Sequence, residues 1–302
     1  MCDPIISLCI PTNGVSEWVF PVLDSIYDQN VDNTLFEVIV TNNGDNDEFH
    51  KKMLNYKKGY ANIVYKKTEA YMFHNQLETL KLASGKYFKF VNHRSLLKPG
   101  ALSRMIDIIK KNEKEKPVIF FSNGKMKEQQ YRLSNFDDFV STIGEFASWT
   151  TGVGIWKEDY LKIPKDVKID KISPHSCILF SERSKKGYLI ENFIFSEEID
   201  SGHSKKGKYD LFKAFAVEEL TVTLNLFIDG DIKAKTLKKV KKSYKKLVSK
   251  FYFEFIIRKK PCSYELNGFD DAMGIFFNKT DIVLGAYWIG IKRCIKKIIV
   301  RR

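Results

Sequence analysis

The sequence lacks the features that mark disulfide-rich, zinc-binding and membrane-spanning proteins. It has only 5 cysteines in 302 residues, with no closely spaced pair, so neither a disulfide framework nor a zinc site is expected. The longest late apolar run, residues 282–291, is too short to cross a bilayer. The first residues have no basic start before their apolar run, so no signal peptide is expected. These absences favour a globular protein in a reducing cytoplasm.

Positive charge is concentrated in two C-terminal segments. The net charge is +13, yet residues 232–260 alone carry +11 and residues 291–302 carry +6. The rest of the chain is therefore mildly acidic, and with no recognisable nucleic-acid-binding module we expect no nucleic-acid partner. Residues 232–260 and residues 281–302 each place apolar residues on one helical stripe opposite lysines and arginines, a pattern typical of helices on anionic membrane surfaces. The alternative is that the apolar stripes pack on the protein itself or on a second copy in a homo-oligomer.

Strands and helices alternate over the first half of the chain. Short β-branched apolar runs predict buried strands at residues 5–10, 36–40, 62–65, 86–91 and 117–121. The amphipathic segments between them predict crossover helices, an order typical of an α/β domain with a mainly parallel sheet. Ligands bind such sheets at the carboxyl ends of the strands. Polar loops follow three of these strands, so we expect the loops to share one mouth.

The second half of the chain is less regular. The pattern predicts a strand at 149–156, a helix at 175–186 and a strand at 188–195. Helices are expected from residue 209 to 258, with a turn near Gly230, and again from residue 281.

Four motifs in the expected order resemble those of the family 2 glycosyltransferases of the GT-A fold. They are the strand and turn ending in Pro11-Thr12-Asn13, the acidic loop after Val40, the pair formed by Asn75 and the turn Ser84-Gly85-Lys86-Tyr87, and the run Leu97-Lys98-Pro99-Gly100-Ala101-Leu102. The resemblance holds in order and spacing over residues 5–110. It implies a glycosyltransferase with a GT-A (Rossmann-like) fold, of the kind that builds bacterial surface polysaccharides.

The resemblance also implies which residues bind the donor, a nucleotide-diphosphate sugar for which a UDP-sugar is favoured. The predicted donor contacts are Pro11, Thr12, Asn13, Asn42, Asp47, Asn75, His93 and Arg94. Asn42 stands where the family usually has an aspartate that contacts the base. Its amide can still hydrogen-bond a uracil edge, so this difference is mild.

The family's acidic metal-binding triplet falls on His93-Arg94-Ser95, which contains no carboxylate. Mg²⁺ prefers oxygen ligands and a guanidinium is no ligand, so we predict no metal site and no requirement for a divalent cation. In one interpretation Arg94, with His93, pairs with the donor diphosphate and takes over the work of the metal. In the other, the domain is a catalytically inactive, nucleotide-sugar-binding scaffold in a glycan assembly complex.

A transferase also needs a base for the acceptor hydroxyl. His175 falls near the family's catalytic aspartate, just inside a predicted helix whose dipole would lower its pKa. Asp170 and Asp159 are the carboxylate alternatives, and a capping role for His175 is the competing interpretation. Trp149 could stack on an acceptor sugar or serve as a buried structural residue. His203, in a polar loop, is more typical of a solvated side chain than of a donor contact.

Together these features predict an inverting glycosyltransferase that moves a sugar to a membrane-associated acceptor, either lipid-linked or a polysaccharide such as capsule or lipopolysaccharide. We expect the enzyme to be peripherally attached to the inner face of the cell membrane. The predicted domains are a GT-A domain over residues 1–205 and a helical basic region over residues 206–302. Within the first, residues 1–122 form the nucleotide-sugar half and residues 123–205 the acceptor half.

Overall fold

The computed structural model of the chain describes residues 3–164, 169–200 and 209–300, the last four without their side chains. The chain divides into two units. Unit 1 consists of Met1–Phe139 and Phe146–Ile199, and unit 2 consists of Val140–Glu145 and Asp200–Arg302. The chain therefore passes between the units three times, and the last passage lies close to the predicted boundary at residue 205.

In the described residues, ten strands form three sheets. They are β1 (Ile6–Thr12), β2 (Phe36–Asn42), β3 (Ile63–Lys67), β4 (Tyr87–Phe90), β5 (Ser95–Leu97), β6 (Val118–Phe121), β7 (Gln130–Leu133), β8 (Gly154–Trp156), β9 (Tyr188–Glu191) and β10 (Ser196–Glu198). The α-helices of unit 1 are α1 (Ser16–Tyr27), α2 (Asp47–Tyr56), α3 (Asn75–Leu82), α4 (Ala101–Lys111), α5 (Phe136–Ile143, which continues into unit 2), α6 (Lys157–Tyr160) and α7 (Pro174–Leu179). Those that follow in unit 2 are α8 (Leu211–Lys213), α9 (Glu219–Ile228), α10 (Ala234–Phe251), α11 (Phe269–Ala272) and α12 (Lys279–Val300).

The central sheet has the strand order β3-β2-β1-β4-β8. Its first four strands are parallel, and β8 runs antiparallel to β4. β2 and β4 are buried along their whole length and β1 almost so, which explains why these strands are continuous apolar runs rather than alternating patterns. The predicted α/β class with a mainly parallel sheet is confirmed.

The amino ends of the central strands are held together by Glu37. Its Oε1 accepts hydrogen bonds from the Ser7 hydroxyl (2.6 Å) and from the backbone N–H groups of Ser84 (2.6 Å) and Gly85 (3.0 Å). A Cβ atom on Gly85 would lie 2.7 Å from the Ser7 Oγ, so this position needs glycine. The Ser84-Gly85 turn therefore anchors β4, at the opposite end of the sheet from the three polar loops.

Two smaller sheets complete unit 1. β6 and β9 are parallel and β7 is antiparallel to β9, whereas β5 and β10 form an antiparallel pair. The sequence pattern did not predict β5, β7, β10 or α5. All four are short, and two of the strands, β7 and β10, carry polar residues at half or more of their positions.

The strand predicted at residues 149–156 is wrong in its first half. Residues Thr150–Gly152 form a 3₁₀ turn, and the strand covers only Gly154–Trp156. This turn packs closely against Phe120. A Cβ atom on Gly152 would lie 2.5 Å from the Phe120 ring, so the last residue of the turn has to be glycine.

The helix predicted at residues 175–186 is also too long, since α7 ends at Leu179. The polar residues that follow it bond to its last carbonyl groups instead of continuing the helix. Ser181 Oγ donates to the Ile178 carbonyl (2.8 Å), and Arg183 Nε donates to the Phe180 carbonyl (3.1 Å). The strand predicted at 188–195 is shorter too, because β9 ends at Glu191.

Unit 2 is helical, as predicted, with a turn at Gly230 where φ is +82°. The predicted apolar stripe of α10 is buried within unit 2 at Val240, Tyr244 and Val248. α12 approaches the same helix through glycine, since a Cβ atom on Gly285 would lie 2.5 Å from the Ser249 Oγ. Throughout the described part of the chain, no helix has both the length and the apolarity needed to cross a membrane.

Candidate active site

Three loops meet at the carboxyl end of the central sheet. β1 and β2 end side by side because Thr12 pairs with Asn42 in the parallel register, and β4 lies on the other side of β1. The β1 and β2 loops are in direct contact, with the Asn43 N–H donating to the Thr12 carbonyl (3.1 Å). The register thus brings together the loops that the sequence predicted to share one mouth.

Asn75, at the start of α3, links the carboxyl ends of β1, β2 and β3. Its Nδ2 donates to the backbone carbonyls of Thr12 (3.1 Å) and Thr41 (2.9 Å), and its Oδ1 accepts from the Thr68 hydroxyl (2.8 Å). The side chain is buried, and both of its polar atoms are occupied by the protein. The structure therefore gives Asn75 a positioning role, and direct contact with a donor stays a prediction.

Asn42 shapes the β2 loop. It is buried, and its Oδ1 accepts a hydrogen bond from the Gly44 N–H (2.9 Å) in a tight Asx turn. Asp47, in contrast, is exposed at the start of α2, with its carboxylate 4.0 Å from the Lys67 ammonium. Of these two predicted nucleoside contacts, Asp47 is already open to a ligand, whereas Asn42 would have to release its turn.

The β1 loop holds both a satisfied and an unsatisfied polar group. Pro11 is half-buried within β1. The Thr12 hydroxyl hydrogen-bonds the His93 Nδ1 (2.8 Å) and accepts from the Gly14 N–H (3.1 Å). Asn13 Oδ1 is buried without a hydrogen-bond partner among the described residues. A buried acceptor of this kind costs about 1–3 kcal/mol, so Asn13 is poised to receive a donor hydroxyl or N–H group.

His93 and Arg94 pack against the ring of Trp18, which projects from α1. The His93 ring meets the Trp18 ring edge-on with centroids 5.1 Å apart. The Arg94 guanidinium carbon lies 5.4 Å from the Trp18 ring centroid. Arg94 is thus held at the mouth by a flat apolar support, with its side chain only 11% exposed.

The structure supplies a carboxylate that the tripeptide lacks in sequence. Glu198, on β10, lies opposite Ser95 in the antiparallel pair. Its Oε1 accepts a hydrogen bond from the Ser95 hydroxyl, and its Oε2 lies 3.5 Å from the Arg94 Nη2. Sequence reasoning missed Glu198, because it follows the tripeptide by about a hundred residues and no motif surrounds it.

The residues around the tripeptide do not fit a divalent cation. The triplet offers an imidazole bonded to Thr12, a guanidinium and a hydroxyl, and the adjacent Glu198 carboxylate is engaged by Ser95 and Arg94. Within the described residues, no three or more His, Cys, Asp or Glu side chains converge as a metal site would require. The donor set therefore lacks the oxygen ligands that Mg²⁺ or Mn²⁺ prefers.

His175 is buried against the segment that contains Ser148. Its Nε2 lies 3.0 Å from the Ser148 carbonyl, and burial lowers the pKa of the imidazole to about 4. The direction of the pKa shift is the expected one, but desolvation rather than the helix dipole is the main cause. The ring is 5% exposed. These contacts favour a positioning role, and its function as the base stays a prediction.

The two carboxylate alternatives to His175 are held by local structure. Asp170 Oδ1 accepts from the N–H groups of Ile172 (2.7 Å) and Ser173 (2.9 Å). Asp159 is buried and pairs with the ammonium groups of Lys185 and Lys162. Both therefore have structural roles in this conformation. His203 lies outside the described residues.

One short segment, Ser148 to Thr151, contacts His175 at one end and the residues around the tripeptide at the other. Ser148 receives the His175 ring, and the Trp149 ring packs against Phe195 with centroids 5.7 Å apart, the structural alternative named for this tryptophan. The Thr151 hydroxyl accepts from the Asn92 N–H (3.1 Å) and lies 3.2 Å from the Ser95 hydroxyl.

A buried lysine lies beneath this segment. The Lys89 ammonium, in β4, donates to the backbone carbonyls of Phe90 (3.0 Å) and Thr151. It also lies over the rings of Phe121 and Phe195, 5.2 and 5.3 Å from their centroids. Burial lowers its pKa to about 7.

Comparison with known proteins identifies the family. Residues 7–166, more than half of the chain, match the family described as Glycosyl transferase family 2. The chain belongs to this family. The protein is therefore a glycosyltransferase with a GT-A fold, as the sequence motifs predicted. No curated protein sequence matches the chain.

Several solved structures share the fold of this family 2 member. TarS 1–349 of S. aureus in complex with UDP-GlcNAc is similar with a TM-score of 0.62 and 13% identity, over 90% of this chain and 80% of that chain. The same TarS fragment with UDP gives a TM-score of 0.57 at 14% identity, over 89% and 75%. The mannosyltransferase PcManGT from Pyrobaculum calidifontis, in complex with GDP-Man and Mn²⁺, gives 0.52 at 14% identity, over 81% and 72%.

Proposed function

We propose that this glycosyltransferase transfers a sugar from a nucleotide-diphosphate donor by an inverting mechanism, and that Arg94 neutralises the diphosphate in place of a divalent cation. The donor class is supported by the structural neighbours, which bind UDP-GlcNAc, UDP and GDP-Man. Two of these three ligands contain uridine. The observation that carries the proposal is a fixed guanidinium at the carboxyl end of the sheet.

The state of the Arg94 N–H groups supports this role. Nη1 donates to the Ile199 carbonyl (3.2 Å), whereas Nε is buried and has no hydrogen-bond partner among the described residues. An arginine binds phosphate best when two adjacent N–H groups point at two oxygens. Because Nε and Nη2 share one edge of the guanidinium, Arg94 keeps such an edge for the diphosphate. Pairing there offsets the negative charge that develops on the leaving group.

The remaining parts of the proposal concern the nucleoside and the base. We assign Asn13 and Asp47 to contacts with the nucleoside, supported by the unpartnered Asn13 Oδ1 and the exposure of Asp47. Asn42 and Asn75 set the shape of the loops that carry these residues. His175 stays the predicted base for the acceptor hydroxyl, with Asp170 as the alternative.

We further propose that the acceptor is membrane-associated, lipid-linked or a surface polysaccharide, and that the enzyme attaches to the inner face of the cell membrane through α12. The outer face of this helix exposes Leu284, Trp288, Ile291 and Ile295, each to about half or more of its surface. Lys292 lies over the Trp288 ring, 5.3 Å from the centroid. Exposed apolar residues flanked by cations suit an anionic bilayer.

The test is donor turnover in excess EDTA. Purified protein is incubated with UDP- and GDP-sugars, and release of the nucleoside diphosphate is measured with and without chelator. We expect turnover to survive chelation. Arg94→Gln should weaken binding of the nucleoside diphosphate by about 10- to 100-fold, because a charge-assisted pair is lost. Arg132→Gln, at an exposed position on β7, is the matched control.

Each contrary outcome has its own meaning. Turnover that stops in EDTA and returns with Mn²⁺ would refute the arginine mechanism. Nucleotide binding without turnover of any donor would favour the scaffold in a glycan assembly complex instead of the enzyme.

A further inference from the structure

We propose that Glu198 is a built-in competitor of the donor diphosphate for Arg94, so that this glutamate sets the affinity of the site for nucleoside diphosphates. The inference rests on the proposed function, because it assumes that Arg94 is the phosphate-binding cation. It goes further by giving a role to the Glu198 carboxylate, which lies on β10, outside the central sheet.

Strand alternation places Glu198, and not its neighbour, on the face of the Ser95 side chain, where its carboxylate also reaches the Arg94 guanidinium. Glu198 pairs with Ser95 in the antiparallel register, whereas Glu197 pairs with Leu96. Successive side chains of a strand point to opposite faces. The Glu197 carboxylate accordingly pairs with the Lys98 ammonium, away from the tripeptide.

The contact between Glu198 and Arg94 balances charge without filling the hydrogen-bonding edge of the guanidinium. The Glu198 Oε2 is 3.5 Å from Nη2, which is longer than a charge-assisted hydrogen bond. The neighbouring Nε has no partner among the described residues. The glutamate is also 40% exposed, whereas the arginine is 11% exposed. The pair is therefore a loose one, in which the carboxylate is held by the Ser95 hydroxyl rather than by the guanidinium.

A phosphate group of the donor would make the stronger pair at this edge. It can supply two oxygens to Nε and Nη2 at once. Glu198 then leaves Nη2 and keeps its hydrogen bond with the Ser95 hydroxyl, so it stays close to the bound phosphate as a like charge. Both effects weaken diphosphate binding, since a partner must be displaced and a repulsion remains. A site built in this way releases its nucleoside diphosphate product more readily than arginine alone would.

The experiment is a double-mutant cycle measured by calorimetric titration with whichever of UDP and GDP binds more tightly. Glu198→Gln keeps the size of the side chain and an oxygen for Ser95 but removes the charge. We expect it to tighten diphosphate binding by about 3- to 10-fold, because the phosphate no longer displaces a charged partner of Arg94 and no longer meets a partly screened like charge. Glu197→Gln, the matched control on the same strand, should leave the affinity unchanged. In an Arg94→Gln background there is no ion pair to displace, so Glu198→Gln should keep only the part of its effect that comes from relieving the repulsion, and the tightening should be smaller.

The outcomes separate this inference from the proposed function. If Arg94→Gln weakens binding but Glu198→Gln weakens it too or leaves it unchanged, the competitor role is refuted and the arginine mechanism stands. If Arg94→Gln has no effect on the diphosphate, both fall. Should Glu198→Gln fail to fold, Glu198→Asp, whose shorter side chain withdraws from Nη2, is expected to tighten binding to a smaller extent. Unchanged or weaker binding by that variant would equally refute the inference.

Discussion

Lys89 shows how one residue links the core to the active site. Its ammonium bonds to the carbonyl of Thr151, and the Thr151 hydroxyl in turn holds the Asn92 N–H group and lies beside Ser95. The backbone that presents the tripeptide is thus supported from below by a buried cation. A cation in this position is costly, because neither of its bonded oxygens carries a full charge.

The cost of burying Lys89 predicts a pH dependence of stability. The pKa of this lysine falls from 10.5 to about 7 on folding, so between these values the unfolded chain binds more protons than the folded one. The free energy of unfolding therefore rises with pH across this window. Relative to Lys89→Met, the wild type should gain about 1.5 kcal/mol between pH 7 and 8.5 in urea denaturation.

Two features allow the pH dependence of the unfolding free energy to be attributed to Lys89. Burial raises the pKa of the nearby Cys9 thiol to about 12, so that thiol stays neutral throughout the window. Lys66→Met, at an exposed position on β3, is the control and should follow the wild type. If Lys89→Met and the wild type show the same pH slope, the lysine is not buried as a titrating cation.

At the residue scale, the sequence identified the tripeptide but not its environment. His93, Arg94, Asn13 and Asp47 could be placed at the site because strand ends and family motifs are local patterns. The partnership with Glu198 depends on a pairing between β5 and β10, which are distant in the chain and carry no strong pattern. The backbone bonds of Asn42 and Asn75 could not be predicted either, because the sequence cannot tell a ligand-binding amide from one that bonds to backbone, and their contact with the donor stays a prediction.

At the scale of elements, α10 and α12 share a basic, amphipathic sequence but differ in what they bury. The apolar stripe of α10 is covered within unit 2, which is the packing alternative that the sequence left open. On α12, Ile282 and Ala286 are buried, whereas Leu284, Trp288 and Ile291 are exposed. The sequence alone could not tell which helix buries its apolar stripe and which exposes apolar residues, because both helices have the same periodicity.

This division predicts which substitutions affect membrane binding. Replacing Trp288 and Ile291 together by serine should reduce binding to phosphatidylglycerol-containing vesicles by about 10- to 30-fold, because two half-exposed apolar side chains no longer enter the interface. Nucleotide affinity should not change. Cosedimentation with vesicles is the measurement, and Leu161→Ser, at an exposed apolar position in unit 1, is the control.

Vesicle binding that is unaffected by the double substitution would refute the membrane role of α12. Removing the whole of residues 281–302 is a poorer test, because the deletion also takes away the buried Ile282 and Ala286.

The sequence predicted most elements up to β6 closely because each of them has a strong local signal; the short β5 was missed. α1 and α4 follow apolar residues at helical spacing, and Gly100, with φ of +76°, stands immediately before α4. In the second half the helix after Pro174 was predicted too long, since the termination depends on side chains bonding to particular carbonyls. Such bonds leave no periodic trace in the sequence.

At the scale of the whole molecule, the two units are interleaved along the chain. Residues 140–145 belong to unit 2 although they lie in the middle of the sequence of unit 1. Within unit 2, the Glu145 N–H donates to the Ser243 hydroxyl (3.1 Å), and the Lys239 ammonium lies 3.0 Å from the Ser141 hydroxyl. A linear boundary at residue 205, as the sequence suggested, does not capture this exchange.

The interleaving predicts that residues 1–205 alone form an impaired fragment. Val140 and Ile143 are buried in the full chain, and a cut at 205 removes α10, which supplies partners to their segment. Exposing these two side chains should cost the fragment about 3 kcal/mol. We expect a lower melting temperature by circular dichroism and stronger fluorescence of a hydrophobic dye than the full chain gives. A fragment that melts with the full chain and binds no dye would contradict this.

If the β2 loop contacts the donor nucleoside, as proposed, Gly44 limits how the donor preference of this enzyme can change. A Cβ atom at that position would lie 1.9 Å from the Asn13 carbonyl oxygen, so even alanine requires the two loops to separate. A substitution at this residue is therefore expected to disturb the contact between the two loops before it alters the base preference. Variants with altered base preference should instead arise at exposed neighbours such as Asp47 and Tyr71, where side chains can change while the loop contact is kept.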